Sequence, residues 1–176
     1  MEQPLQTNNL PTRNQRLKAW SEWFTSQDDW QLFAVTVVFR QRKRKKDELL
    51  EPLALNQSVC ESLYKVQVLH KIRRALERNP ELQAKAVPYD EFVYYERNQG
   101  SIFKKTKSSN PHHVHAILPI KKSQLHRIWS IDANKIQERL YKDILSIKEV
   151  QSIDIQPLIG RREIDWVKYV AKGKNF

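Results

Sequence analysis

From Leu32 to Phe39 the chain reads Leu-Phe-Ala-Val-Thr-Val-Val-Phe, a run of β-branched and aromatic residues broken by one hydroxyl at Thr36. Such a run predicts a central strand buried on both faces. On its N-terminal side the period is helical. Leu17, Trp20, Trp23 and Phe24 recur over 12–25, predicting an amphipathic helix behind a polar tail that carries Pro4 and Pro11. On its C-terminal side, Ser58 and Glu61 have capping-box spacing. They open a helix expected to reach about Arg78, with Val59, Leu63, Val66, Leu69, Ile72 and Leu76 as its buried stripe and Asn79-Pro80 as its stop. A second strand is predicted over 87–96 and a third over His112–Leu118, ended by Pro119; the polar loop 97–110 joins them as a long hairpin. Ile136, Leu140 and Ile144 fall in phase within a predicted helix over 128–147. Ile153 and Ile155 alternate with Ser152, Asp154 and Gln156, predicting a strand over 150–156. After Pro157 and Gly160, residues 161–172 predict a closing helix with Ile164, Val167, Val170 and Ala171 as its apolar stripe.

The resulting order is α, β, α, β, β, α, β, α. Without the outer helices it is a split β-α-β-β-α-β pattern of ferredoxin- or RRM-like type. The expected class is therefore α+β, an antiparallel sheet with helices packed on it and an extra N-terminal helix. Strand order does not follow from the pattern. The expected organisation is a tail and amphipathic helix over 1–28 and one domain over 29–176, a length that suits a single core.

Charge narrows the partner. Lys plus Arg number 31 against 20 Asp plus Glu, a net charge of +11, and such a surface attracts polyanions. Arg40-Gln41-Arg42-Lys43-Arg44-Lys45-Lys46 follows the first strand directly, and Lys104-Lys105 lies in the hairpin loop. The first run reads as a phosphate grip, a nuclear address or a solvated loop. Arg42, Lys43, Arg44, Lys45, Lys104, Lys105 and Arg162 are the candidate DNA-contacting cations. The single Cys60 permits no internal disulfide and reads as a core residue. No apolar run is long enough to span a bilayer and no signal peptide is visible, so a soluble intracellular protein without a membrane partner is expected.

Candidate chemistry begins at His113 and His115. Alternation on a strand points both imidazoles to one face, where they form a convergent pair of metal ligands. A carboxylate is needed beside them. Glu96, at the end of the paired strand, is the natural candidate and Glu91, on that strand's other face, its competitor. On the closing helix, Arg162, Asp165, Tyr169 and Lys172 cluster opposite the apolar stripe, with Lys172 three residues beyond Tyr169. Trp166 reads equally as packing or as a base-stacking surface. His112 faces away from the proposed ligands, and His70 and His126 receive no role.

In order, a hydrophobic strand with Thr36, a strand ending in Glu96, Pro111-His112-His113-Val114-His115-Ala116-Ile117-Leu118, Ile153-Asp154-Ile155-Gln156-Pro157 and Tyr169-Val170-Ala171-Lys172 resemble the HUH endonucleases, the single-tyrosine initiators of rolling-circle replication. The resemblance spans about Leu32 to Lys172. It implies that His113, His115 and Glu96 bind a divalent metal ion, Mg²⁺ or Mn²⁺, that Tyr169 is a nucleophile, and that Lys172 accompanies it. It implies single-stranded DNA as partner, at an origin hairpin or nick site, with host or viral replication proteins alongside. The implied compartment is the cytoplasm of a bacterium carrying the phage or mobile element, or the nucleus for a eukaryotic virus. Two departures stand out: the loop between Glu96 and His113 exceeds the family's tight hairpin, and no G-x-x-x-x-G-K-[ST] helicase motif is present. The rival expectations are a single-tyrosine transposase, an origin-directed nuclease, a metal-dependent hydrolase without a covalent step, and a non-catalytic module for single-stranded nucleic acid.

Overall fold

The computed structural model describes residues 12, 15, 18, 19, 22, 23, 26, 28–87, 93–97, 112–159 and 161–170, with the backbone alone at 97 and 161–164. Its elements are strand β1 (Trp30–Phe39), a long helix α1, a short helix α2 (Pro80–Ala86), strands β2 (Val93–Arg97) and β3 (His112–Lys121), a small hairpin of β4 (Trp129–Ser130) and β5 (Lys135–Ile136), helix α3 (Glu138–Leu145), strand β6 (Val150–Pro157) and helix α4 (Arg161–Val170). Helix α1 runs through Gln57–Leu63, a π-helical turn Tyr64–Val68, and Leu69–Leu76. The fold is α+β. Four strands form an antiparallel sheet in the order β2-β3-β1-β6, so β3 lies between β1 and β2, and β1 between β3 and β6.

The sheet has an apolar layer on each face. On one, Phe33, Val35, Val37 and Phe39 of β1 and Val114, Ala116, Leu118 and Ile120 of β3 meet Cys60, Leu63, Tyr64, Val68, Leu69, Ile72 and Leu76 of α1 and Leu140 and Ile144 of α3. On the other, Leu32, Ala34 and Ile117 meet Val167 and Val170 of α4, with Trp23 packed alongside. The expected double burial of β1 therefore holds for Leu32 to Val35, while Thr36 and Val38 are only half-buried. That opening on the α4 side is where the polar side chains gather. Phe33 is 1% exposed with its ring 5.1 Å from that of Trp129. Phe33→Ala is expected to lower stability by about 3–5 kcal/mol in a denaturant titration, the range for emptying a buried phenyl site.

Several sequence expectations need correction. The cap of α1 is Asn56, whose side chain accepts from the Val59 amide at 2.9 Å, rather than Ser58. Its buried stripe departs from strict helical spacing because the π-turn holds an extra residue; Val66 is 66% exposed, while Val68 is buried. Helix α1 ends at Leu76, and Asn79-Pro80 starts the next helix instead: Asn79 caps α2, accepting from the Glu81 amide, with Pro80 in the first turn. The predicted helix over 128–147 shortens to Glu138–Leu145, preceded by a hairpin whose turn uses Asn134 at φ 46°, a left-handed conformation that asparagine tolerates. The described part of the second strand is Val93–Arg97, residues 88–92 lie outside the described residues, and Val87 is buried directly beyond α2. The third strand continues through Pro119 to Lys121, paired to β1. Described β2 partners stop at Ala116, so Pro119 lies where its missing N–H breaks no described ladder.

Candidate metal centre and tyrosine site

Strand pairing brings the polar residues together. On β3, His113 lies opposite Val38 of β1 and Glu96 of β2, and His115 opposite Thr36 and Tyr94. Facing positions on paired strands share a face, so Glu96, His113, His115, Tyr94 and Thr36 all project towards the side covered by α4. The two imidazoles sit 4.9 Å apart, nearly perpendicular at 85°. Glu96 Oε2 is 3.4 Å from His113 Nε2 and 3.6 Å from His115 Nε2. One ligand atom from each residue lies within 4.8 Å of the others, the one such group of three among the described residues.

The donor set fits a divalent cation, with two imidazole nitrogens and an oxygen anion converging. Both histidine side chains are nearly buried, at 10% and 12% exposed, whereas Glu96 is 37% exposed, which leaves the cluster reachable from one side. Burial, then the neighbouring His113, pushes the His115 pKa down to about 4, so at ordinary pH its ring is neutral, the form a metal ligand needs. Glu96 is held below the usual carboxylate range, chiefly by the hydrogen bond it accepts from Tyr169 and also by that with His113. Thr36 Oγ1 lies 3.0 Å from His115 Nδ1. With Nδ1–H donating to that hydroxyl, Nε2 turns its lone pair to the cluster. Thr36→Val is expected to weaken Mn²⁺ affinity about tenfold in calorimetry while leaving the fold unchanged, the scale on which metal sites respond to a lost supporting hydrogen bond. Unchanged affinity would remove Thr36 from the site.

Helix α4 delivers the phenol. Val167 and Val170 seat it on the sheet, and Trp166 extends the buried arc, its indole Nε1 donating to the Ala116 carbonyl at 3.0 Å. A helix turns about 100° per residue, so Tyr169 falls only about 60° from Trp166. It is thus half-buried at the edge of the arc instead of opposite it, which corrects the sequence expectation. Tyr169 Oη donates to Glu96 Oε2 and lies 3.5 Å from His115 Nε2. Its ring stacks on Trp166 at 5.5 Å and meets Tyr94 and His115 edge-on at 5.7 and 5.0 Å. Burial, then the hydrogen bond and charge of Glu96, raise the Tyr169 pKa well above that of a free phenol. Trp166 packs on the sheet and on the Tyr169 ring while staying half-buried.

Of the other predicted positions, Glu91, Lys104, Lys105, Lys172 and the side chain of Arg162 lie outside the described residues. The basic run leaves β1 two positions beyond Val38, at the site end of the sheet. Arg42 pairs with Glu48 and Arg44 with Glu51, so two of its cations are already engaged by the acidic segment that follows; Lys43 and Lys45 are exposed. His112 faces the other layer, 2.8 Å from the Tyr95 hydroxyl, and Cys60 is a buried thiol pushed up to about 11 by its burial. Sequence reading assigned no role to Thr36 or Tyr94. The signal for both was the register with His115, which is invisible until strand partners are known.

No protein-family model, curated protein or solved structure matches the chain. Among the described residues, no helix is long and apolar enough to cross a membrane.

Proposed function

We propose that the chain nicks and rejoins single-stranded DNA through a 5′-phosphotyrosine intermediate, as the HUH initiators of rolling-circle replication do. The observation that carries this reading is the phenol oxygen of Tyr169 within hydrogen-bonding reach of Glu96 and His115, two members of the one group able to hold a metal among the described residues. His113, His115 and Glu96 would hold a divalent ion such as Mg²⁺ or Mn²⁺, which would supply positive charge at the scissile phosphate. Tyr169 Oη attacks phosphorus in line, forming the tyrosyl phosphoester as the bond to the 3′-oxygen breaks. The electron pair leaves with that oxygen, which ends as a hydroxyl. The phenol gives up the one proton required, which ends on the departing 3′-oxygen. Lys172, three residues beyond Tyr169 in sequence, is assigned to the phenolate or the phosphate.

Because a phosphoester replaces a phosphoester, the 3′-hydroxyl can reverse the step, which suits strand transfer and rejoining. The substrate is an origin hairpin or nick site, approached by a chain of net charge +11. The test is incubation with labelled single-stranded origin DNA and Mn²⁺, followed by a denaturing gel. Label travelling with the protein is the expected result; cut strands with no bound label point to a water nucleophile, and intact strands that bind but never cut point to a binding module.

A further inference from the structure

A second feature adjoins the cluster on its β6 side. A groove of about 420 Å³ runs between β1, β6 and α4. It shares Thr36 and Tyr169 with the metal centre and extends away from it. Asp154 is the β6 partner of Thr36, as His115 is its β3 partner. Two strand spacings therefore separate Asp154 from His115, roughly 10 Å across the sheet.

The groove has an apolar floor of Ala34, Pro157 and Leu158, an aromatic wall of Trp166 and Tyr169, and a polar rim whose charged groups are both acceptors. Asp154 and Asp165 contribute exposed carboxylates. Gln156 donates one amide hydrogen to Asp154 Oδ1 at 2.9 Å, and its carbonyl oxygen adds a further acceptor. In a chain of net charge +11 this is an acidic opening. Two carboxylates repel a phosphodiester, so of the parts of a nucleotide the base is the one that enters, with its phosphate turned towards the cationic side.

Base edges differ in what they offer. Guanine presents two adjacent donors, N1–H and the N2 amino group, which match a carboxylate. Adenine and cytosine place an acceptor beside their amino group, and thymine offers a single donor.

We propose that this groove is a base-reading subsite that selects guanine next to the scissile phosphate. The inference rests on the nicking function proposed above and adds a specificity determinant to it. Asp154 and Asp165 accept from the guanine edge while the base lies along the single wall that Trp166 and Tyr169 form.

The test is a binding measurement that needs no cutting. The intact chain in EDTA is titrated with fluorescent oligo(dT) strands of about twelve nucleotides carrying one central dG, dA, dC or dT. The dG strand is expected to bind about tenfold tighter than the others, the scale of one good carboxylate–base pair. In Asp154→Asn/Asp165→Asn that preference is expected to shrink to within about twofold, while the oligo(dT) affinity stays as it was or rises. Equal affinity for all four strands, or a dG preference that survives both substitutions, overturns the subsite and leaves the nicking proposal standing. Failure to bind any strand at moderate salt overturns both.

Discussion

Tyr169→Phe is expected to abolish the covalent protein–DNA adduct, lowering cleavage by a factor on the order of 10⁴ or more. The substitution removes one oxygen and keeps the ring. The remaining phenyl group would still stack on Trp166 and meet His115 and Tyr94 edge-on, contacts that the tyrosine makes at 5.5, 5.0 and 5.7 Å. DNA affinity and thermal stability are therefore expected to stay close to those of the parent. Glu96 loses the hydrogen bond that does most to depress its pKa, so its carboxyl titrates at higher pH in the variant. Residual cutting near the parental rate would assign the attack to water and leave Tyr169 a packing residue.

His115→Ala produces the second large effect. His115 offers Nε2 to the metal group, meets Thr36 at Nδ1 and packs against both Trp166 and Tyr169. Its loss is expected to weaken Mn²⁺ binding by more than the roughly 10–100-fold seen when only a supporting partner is removed. Cleavage should fall with it. Calorimetry on the variant separates the two consequences, because a ring deleted for packing alone would lower stability and leave metal affinity unchanged. Glu96→Gln offers a milder comparison: the side-chain shape persists, the charge goes, and metal affinity falls without the loss of a ring from the aromatic cluster.

The site was more legible in the sequence than the elements around it. His113 and His115 follow from the alternation of any strand, and Glu96 from the hairpin, whose ladder does set it opposite His113. What escaped was geometry that one segment cannot reveal. The role of Thr36 depends on the antiparallel register of β1 with β3. The inward edge position of Tyr169 depends on Trp166, which an apolar-stripe count omits because the indole is part polar: its N–H is held by the Ala116 carbonyl. Periodicity misled wherever a helix is irregular. The π-turn at Tyr64–Val68 moved the buried stripe of α1 away from Val66, and Ile136, in phase with Leu140 by counting, belongs to a two-residue strand. The basic run was legible as charge only. That Glu48 and Glu51 would fold back on Arg42 and Arg44 follows from the path of the loop and not from its composition.

The central claim is a bond between DNA and one phenol. Its most direct test is intact-mass and peptide mass spectrometry of the chain after reaction with single-stranded origin DNA and Mn²⁺. The account predicts a protein species heavier by the 5′-phosphorylated fragment, mapped to Tyr169. A reaction that yields cut strands with the protein mass unchanged, or an adduct mapped to another residue, would contradict it.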